Sequence, residues 1–155
     1  MGKVAETGSL SASGLRITVV AARYNAELVE QLISGAREAW QAAGGQPEAL
    51  RVERVPGAFE LPLAAQALAL NGSCDALVAL GCVIRGDTAH FDFVAGECAR
   101  GLQQVMLNTG VPVAFGVLTT ETVAQAQERA APGALNKGAE ALQTALVMAR
   151  LLRSL

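Results

Sequence analysis

ALVALGCVIRGDTAHFDF, Ala76 to Phe93, is the stretch on which the fold turns. Ala76 to Gly81 is apolar at every position. A half-exposed strand alternates apolar and polar residues, so a short run with no polar face reads as a strand buried on both sides. Gly86-Asp87-Thr88 breaks the run, and Thr88 or Asp87 is placed to cap a helix extending to about Asn108. That helix carries His90, the only histidine in the protein, in its first turn. A strand-to-helix turn aims unpaired backbone N–H groups at one point, which suits an anion, and an imidazole beside it adds proton transfer.

The same alternation extends in both directions. Leu15 to Ala22 reads as a buried strand. Asn25 is a candidate cap for the helix that follows, in which Leu28, Val29, Leu32, Ile33, Ala36 and Trp40 recur at helical spacing before Gly44-Gly45 stops it. Arg51 to Val55 reads as a shorter strand, Pro56-Gly57 as a break, and Phe59 to Leu70 as a helix stopped by Asn71-Gly72. Pro112 to Leu118 reads as the fourth strand and Thr119 to Ala130 as a helix. Ala131-Pro132-Gly133 interrupts it, and Asn136 caps a last helix striped by Leu142, Leu146, Ala149 and Leu152. Doubly apolar strands alternating with helices predict a parallel sheet covered on both faces. The expected fold is therefore α/β: a three-layer α/β/α sandwich on a four-stranded parallel sheet, flavodoxin-like, with ligands beyond the carboxyl ends of the strands. Four turns meet there: Arg23 to Asn25, Pro56 to Glu60, Cys82 to His90 and Thr119 to Thr122.

Composition narrows the function. The chain has 155 residues, 52% of them apolar, enough for one sizeable core. Residues 15–155 are expected to form a single domain, with 1–14 as an N-terminal arm. A net charge of −2 gives no footprint for nucleic acid, and no basic amphipathic stretch suggests a membrane surface. Residues 1–14 lack the apolar core of a signal peptide, so cytoplasmic residence is expected. Cys74, Cys82 and Cys98 are odd in number and lack C-x-x-C spacing, against both a disulfide framework and a structural zinc site. The first strand-to-helix turn has no G-x-G-x-x-G, and Asn136-Lys137-Gly138 does not complete a P-loop, which disfavours nicotinamide and ATP chemistry.

Each candidate site residue has an ordinary structural reading beside the functional one. Gly86-Asp87-Thr88 is either a phosphate cradle or a common helix cap. Glu60, in the first turn of a helix, either answers the helix dipole or accepts hydrogen bonds from a polyol. Tyr24 and Phe59, at strand-end turns in a chain with four Phe, one Tyr and one Trp, are placed to stack on a flat heteroaromatic ligand. Phe115, in mid-strand, reads as core. Arg129 and Lys137 are either solvated charges or, through the fork of the arginine above all, anion ligands. A nucleophilic pair of Cys82 with His90 lacks an orienting partner.

In order along the chain stand Arg23-Tyr24-Asn25, Val55-Pro56-Gly57-Ala58-Phe59-Glu60-Leu61-Pro62, Gly81 through Phe93, Pro112 through Glu121, Glu128-Arg129-Ala130 and Asn136-Lys137-Gly138. This set resembles the lumazine synthase family from about Leu15 to the C-terminus. The resemblance implies a transferase of riboflavin biosynthesis. It condenses 5-amino-6-ribitylaminouracil with 3,4-dihydroxy-2-butanone 4-phosphate, releasing phosphate and water, and no cofactor or metal is expected. By the same likeness Tyr24, where the family usually has Phe or Trp, stacks on the pyrimidine. The backbone around Ala58, Phe59 and Glu60 holds the ribityl chain, and Cys82, Val83 and Ile84 meet the pyrimidine edge through their main chain. Asp87 and Thr88 lie at the phosphate and His90 transfers protons. Phe115 and the phosphate-binding Arg129 come from a neighbouring subunit, and Lys137 lines the same site. The implied assembly is a pentamer, in some members a sixty-subunit icosahedral shell with riboflavin synthase as a companion. The short segment Ala130 to Asn136 favours the shell, although Pro132 is atypical there, and the N-terminal arm is expected to add a strand to a neighbour's sheet. Two other classes stay open: a non-catalytic shell or ligand-binding paralogue, and a flavodoxin-like electron carrier.

Overall fold

The computed structural model describes residues 10–155. Strands β1 (Ile17–Ala22), β2 (Arg51–Val55), β3 (Ala76–Ile84) and β4 (Val113–Thr120) alternate with helices α1 (Ala26–Ala42), α2 (Leu61–Leu70), α3 (His90–Thr109), α4 (Val123–Ala130) and α5 (Lys137–Ser154). The sheet is parallel throughout, in the order β2-β1-β3-β4. This is the expected three-layer flavodoxin-like α/β sandwich.

The period of two along each strand divides the core. Val19 and Ala21 of β1 and Val78 and Leu80 of β3 point to one face, where they meet Val29, Leu32 and Ile33 of α1 and Leu142 and Leu146 of α5. Val20 and Ala22, with Leu77 and Ala79, point to the other face and meet Leu61 and Ala65 of α2 and Cys98 and Leu102 of α3. Both layers are closed by small residues. A Cβ on Gly138 at the start of α5 would fall on the Leu32 carbonyl, so α1 and α5 pack backbone to backbone. Asn136, 2% exposed, joins three chain segments there. Its Nδ2 donates to the carbonyls of Gln31 (3.0 Å) and Ala130 (2.8 Å), while its Oδ1 accepts from the N–H of Ala139, capping α5 as expected. At the far end of α1, Trp40 is 3% exposed and donates from Nε1 to the Gln46 carbonyl at 2.7 Å.

Several boundaries move. β3 runs on to Ile84 and β4 to Thr120, so both strands draw residues read as turn into the sheet, Thr119 and Thr120 of β4 being polar. Phe59 lies in a short 3-10 turn, Ala58–Glu60, ahead of α2. Helix α4 starts only after Thr122, whose Oγ1 accepts from the Gln125 N–H while Gln125 Oε1 accepts from the Thr122 N–H. The expected N-terminal arm, 1–14, lies for its first nine residues outside the described residues. Of the remainder, Ala12 is buried, and Ser11 and Ser13 accept hydrogen bonds from Arg150 of α5. Among the described residues no helix is long and apolar enough to cross a membrane.

Candidate active site

The carboxyl ends of β1, β2 and β3 open into a cavity of about 670 Å³. Backbone hydrogen bonds fix its three loops. The N–H of Arg23 donates to the Val55 carbonyl (2.8 Å) and that of Tyr24 to the Pro56 carbonyl (3.1 Å), joining the ends of β1 and β2. Asn25 Nδ2 donates to the Cys82 carbonyl at 2.8 Å, joining β1 to β3. Asn25 precedes α1 with left-handed backbone (φ 57°, ψ 49°), the only non-glycine residue with positive φ among those described. Its carbonyl starts the helix, but its side chain does not cap it. The expected cap is thus a cross-strand tie, for which the short amide of asparagine and its tolerance of this conformation are both required.

Nine of the expected residues share this cavity: Tyr24, Ala58, Phe59, Glu60, Cys82, Val83, Ile84, Thr88 and His90. Asp87 lies on the same loop between Gly86 and Thr88 but does not line it. Tyr24 and Phe59 are 73% and 59% exposed, so both rings stay out of the core and leave apolar surface at the cavity. Glu60 Oε2 accepts the Gly57 N–H at 3.0 Å, which anchors the carboxylate at the cavity wall. His90 is exposed at the first position of α3. Neither Asp87 nor Thr88 is the cap residue: Ala89 holds that place with no side-chain bond, and Thr88 Oγ1 accepts the His90 N–H at 3.3 Å.

Phe115, Arg129 and Lys137 line a second cavity of about 570 Å³, along β4 at the sheet's free edge. The core reading of Phe115 fails, because an edge strand leaves its ring 39% exposed. Lys137 Nζ pairs with Glu140 at 2.6 Å, and Arg129 Nη1 donates to the Gln125 carbonyl at 3.0 Å. Among the described residues no lysine or arginine lines the first cavity, and Arg129 and Lys137 line the second.

Cys82 is no nucleophile. Burial pushes its thiol up to about 11, so the reactive thiolate is absent near neutral pH. Asp92 does not serve His90 either; its carboxylate is held by Arg85. Asn25, Gly57, Gly86, Phe91, Phe93 and Val94 also line the first cavity; sequence reasoning read Asn25 as a cap and Gly86 as part of the cradle, and singled out none of the other four as site residues. For Phe93 and Val94 a signal existed: they stand three and four positions beyond His90 and share its helical face.

Together these groups supply an apolar slot with exposed aromatic rings, an acceptor carboxylate, a turn of backbone N–H groups and an exposed imidazole. The sequence model of the 6,7-dimethyl-8-ribityllumazine synthase family matches residues 14–153. The proteins named 6,7-dimethyl-8-ribityllumazine synthase from two strains of Thermus thermophilus are each 51% identical over 146 residues, 94% of this chain and 93% of theirs. The protein of that name from Edwardsiella ictaluri is 52% identical over 149 residues, 96% of either chain.

Proposed function

The chain belongs to the 6,7-dimethyl-8-ribityllumazine synthase family, and on that premise we propose that its two cavities are halves of one active site, each completed by a neighbouring subunit. Family membership makes it a transferase of riboflavin biosynthesis, with small-molecule substrates and a homo-oligomeric assembly. The proposed reaction joins the amine of 5-amino-6-ribitylaminouracil to the ketone of 3,4-dihydroxy-2-butanone 4-phosphate. Imine formation there releases one water, phosphate is then eliminated, and ring closure with loss of a second water gives the lumazine.

The observation that carries this reading is the separation of charge from chemistry. Among the described residues the cavity with His90 and the aromatic rings is lined by no lysine or arginine, while Arg129 and Lys137 line the edge of the sheet. A phosphate beside Thr88 therefore needs an arginine brought from elsewhere, and a second copy supplies one. Tyr24 stacks on the pyrimidine, with the ring of a neighbour's Phe115 on its other face. Val83 and Ile84 offer backbone to the ring edge, and the 58–60 turn with the Glu60 carboxylate holds the ribityl chain. Asp87 and Thr88, with the neighbour's Arg129, border the phosphate, and Lys137 lines the same pocket. His90 moves the protons of imine formation and dehydration, a role contributing roughly 10²–10⁴-fold. Holding two substrates together supplies much of the rest.

For the assembly we favour a pentamer as the unit and a sixty-subunit shell as its closed form, on the shortness of the segment between α4 and α5. Riboflavin synthase is the companion that a shell implies. The three free, buried thiols fit a reducing, cytoplasmic location. Mixing both substrates with the protein tests the reaction. Lumazine fluorescence is the expected result, and its absence from a correctly assembled protein assigns the fold to binding alone. His90→Ala is expected to lower turnover while the assembly keeps its size; unchanged turnover removes His90 from the chemistry.

A further inference from the structure

Helix α3 begins without a side-chain cap, yet its first turn carries His90. Beside the Thr88 hydroxyl that accepts the His90 N–H, that turn is gripped by Arg85, one residue beyond the end of β3. Its Nη1 and Nη2 donate to the two carboxylate oxygens of Asp92 at 3.3 and 3.1 Å, and its Nε donates to Glu121 Oε2 at 2.7 Å. The face of the guanidinium lies 4.3 Å from the centroid of the Phe91 ring. Its backbone N–H donates to the Thr120 carbonyl at 2.9 Å, which ties the root of the side chain to β4. Arg85 thus grips the two residues that follow His90 and is itself held from the turn after β4.

We propose that Arg85 is a positioning residue for His90, fixing the first turn of α3 so that the imidazole faces the first cavity. Three features point to orientation rather than bulk stability. The ion pairs are solvent-exposed, and exposed pairs add little to global stability. Their geometry is specific: a bidentate fork to one carboxylate, a second carboxylate on Nε, and an aromatic ring beneath, a set that only a guanidinium satisfies. They reach residues 91, 92 and 121, none of which belongs to the core. The proposal rests on the reading of His90 as the proton-transfer group, and its test is arranged to separate the two.

The experiment compares Arg85→Ala, Arg85→Lys, His90→Ala and the double variant Arg85→Ala/His90→Ala in the assembled enzyme. Arg85→Ala is expected to lower kcat roughly ten- to a hundredfold, the scale of a misplaced catalytic group, with KM for both substrates within about twofold. Arg85→Lys keeps the charge without the fork and is expected to recover only a small part of the loss. On the His90→Ala background, Arg85→Ala is expected to change nothing further. Because His90 is the only histidine, its rate of acylation by diethyl pyrocarbonate reports on one imidazole whatever the activity, and Arg85→Ala is expected to shift that rate. The proposal is overturned if both Arg85 variants keep wild-type kcat. It is also overturned if Arg85→Ala lowers kcat as much without His90 as with it, or if the acylation rate does not move. A His90→Ala enzyme with full turnover removes the proton-transfer reading instead, and the acylation rate still decides whether Arg85 holds the ring.

Discussion

The side-chain amide of Asn25 reaches across from the end of β1 to the Cys82 carbonyl on β3, 2.8 Å away. These two strands are where the order β2-β1-β3-β4 changes direction. An open α/β sheet leaves a crevice at such a point, because the connections leave toward opposite faces. The hydrogen bond therefore ties the two lips of the crevice together, and it requires the left-handed backbone of Asn25 to aim the amide.

Asn25→Ala loses both the bond and the residue's tolerance of positive φ. It is expected to destabilise the protein by roughly 2–3 kcal/mol, combining one hydrogen bond with backbone strain. Asn25→Gly keeps the conformation and should lose only about 1 kcal/mol. Urea denaturation of the two variants checks the order; equal losses would mean that the backbone conformation carries no strain.

Asn136 combines a helix cap with a buried donor shared by the Gln31 and Ala130 carbonyls. Asn136→Ala is expected to destabilise by about 2–4 kcal/mol. Asn136→Asp keeps the capping oxygen but turns the donor into an acceptor facing those carbonyls. It should be no more stable than the alanine variant at neutral pH. A thermal melt in which the aspartate variant matches wild type would show that the cap alone matters.

The layers and most elements were legible because their signals are local: apolar runs, helical stripes, and Gly or Pro stops. β2, Arg51–Val55, was read to the residue although its pattern is weak. The misplacements have a common cause, since they lie where long-range pairing overrides local preference. β3 and β4 extend each other through Val83 with Thr119 and Ile84 with Thr120, pairs that no window of sequence displays. Asn25 carries the residue type of a cap, and only the neighbouring strand turns its amide into a tie. Phe115 read as core because mid-strand position does not reveal an edge strand. The residues of the first cavity were legible because three strand ends deliver them. That the cations sit in a different cavity is a property of the folded surface, and only the family resemblance pointed to it.

The thiols of Cys82 and Cys98 are pushed up by burial from an ordinary 9.0 to about 11. The folded state thus holds its thiol protons more tightly than the unfolded one. This contribution is complete below about pH 9 and is lost as pH rises toward 11. Wild type is expected to lose urea resistance across that window, and Cys98→Ala to lose less between the same two pH values. Parallel curves would remove the thiol from the alkaline transition. At pH 8 a disulfide reagent should label the three cysteines slowly in buffer and fast in urea.

Asp75 behaves in the opposite sense. Burial alone would raise its carboxyl. The side-chain and backbone N–H groups of Arg16 and the charge of Arg153 outweigh that and lower it below 3.8. Its stabilisation is present above pH 4 and fades as the pH falls through the folded value. Asp75→Asn is expected to lower the melting temperature at pH 7 and to narrow the difference from wild type near pH 2. A constant difference would assign the effect to the lost backbone contact.

If His90 and Arg129 of one site belong to different chains, two inactive variants should repair each other. His90→Ala and Arg129→Ala, unfolded together and reassembled, are expected to regain activity at sites formed by one intact half from each. With random mixing about a quarter of sites would be intact, by the statistics of a shared interface. Activity no higher than that of the separate variants would place both residues in the same subunit's site.

Trp40 lies some fourteen residues along α1 from the crevice, roughly 20 Å at helical rise, sealed under Gly45 and bonded through its indole N–H. Trp40 is the chain's one tryptophan, held inside the fold and away from the lining of the crevice. In ligand-free protein its emission reports whether the sandwich is intact, while a lumazine's own light reports turnover, so denaturation and inactivation can each be followed by fluorescence.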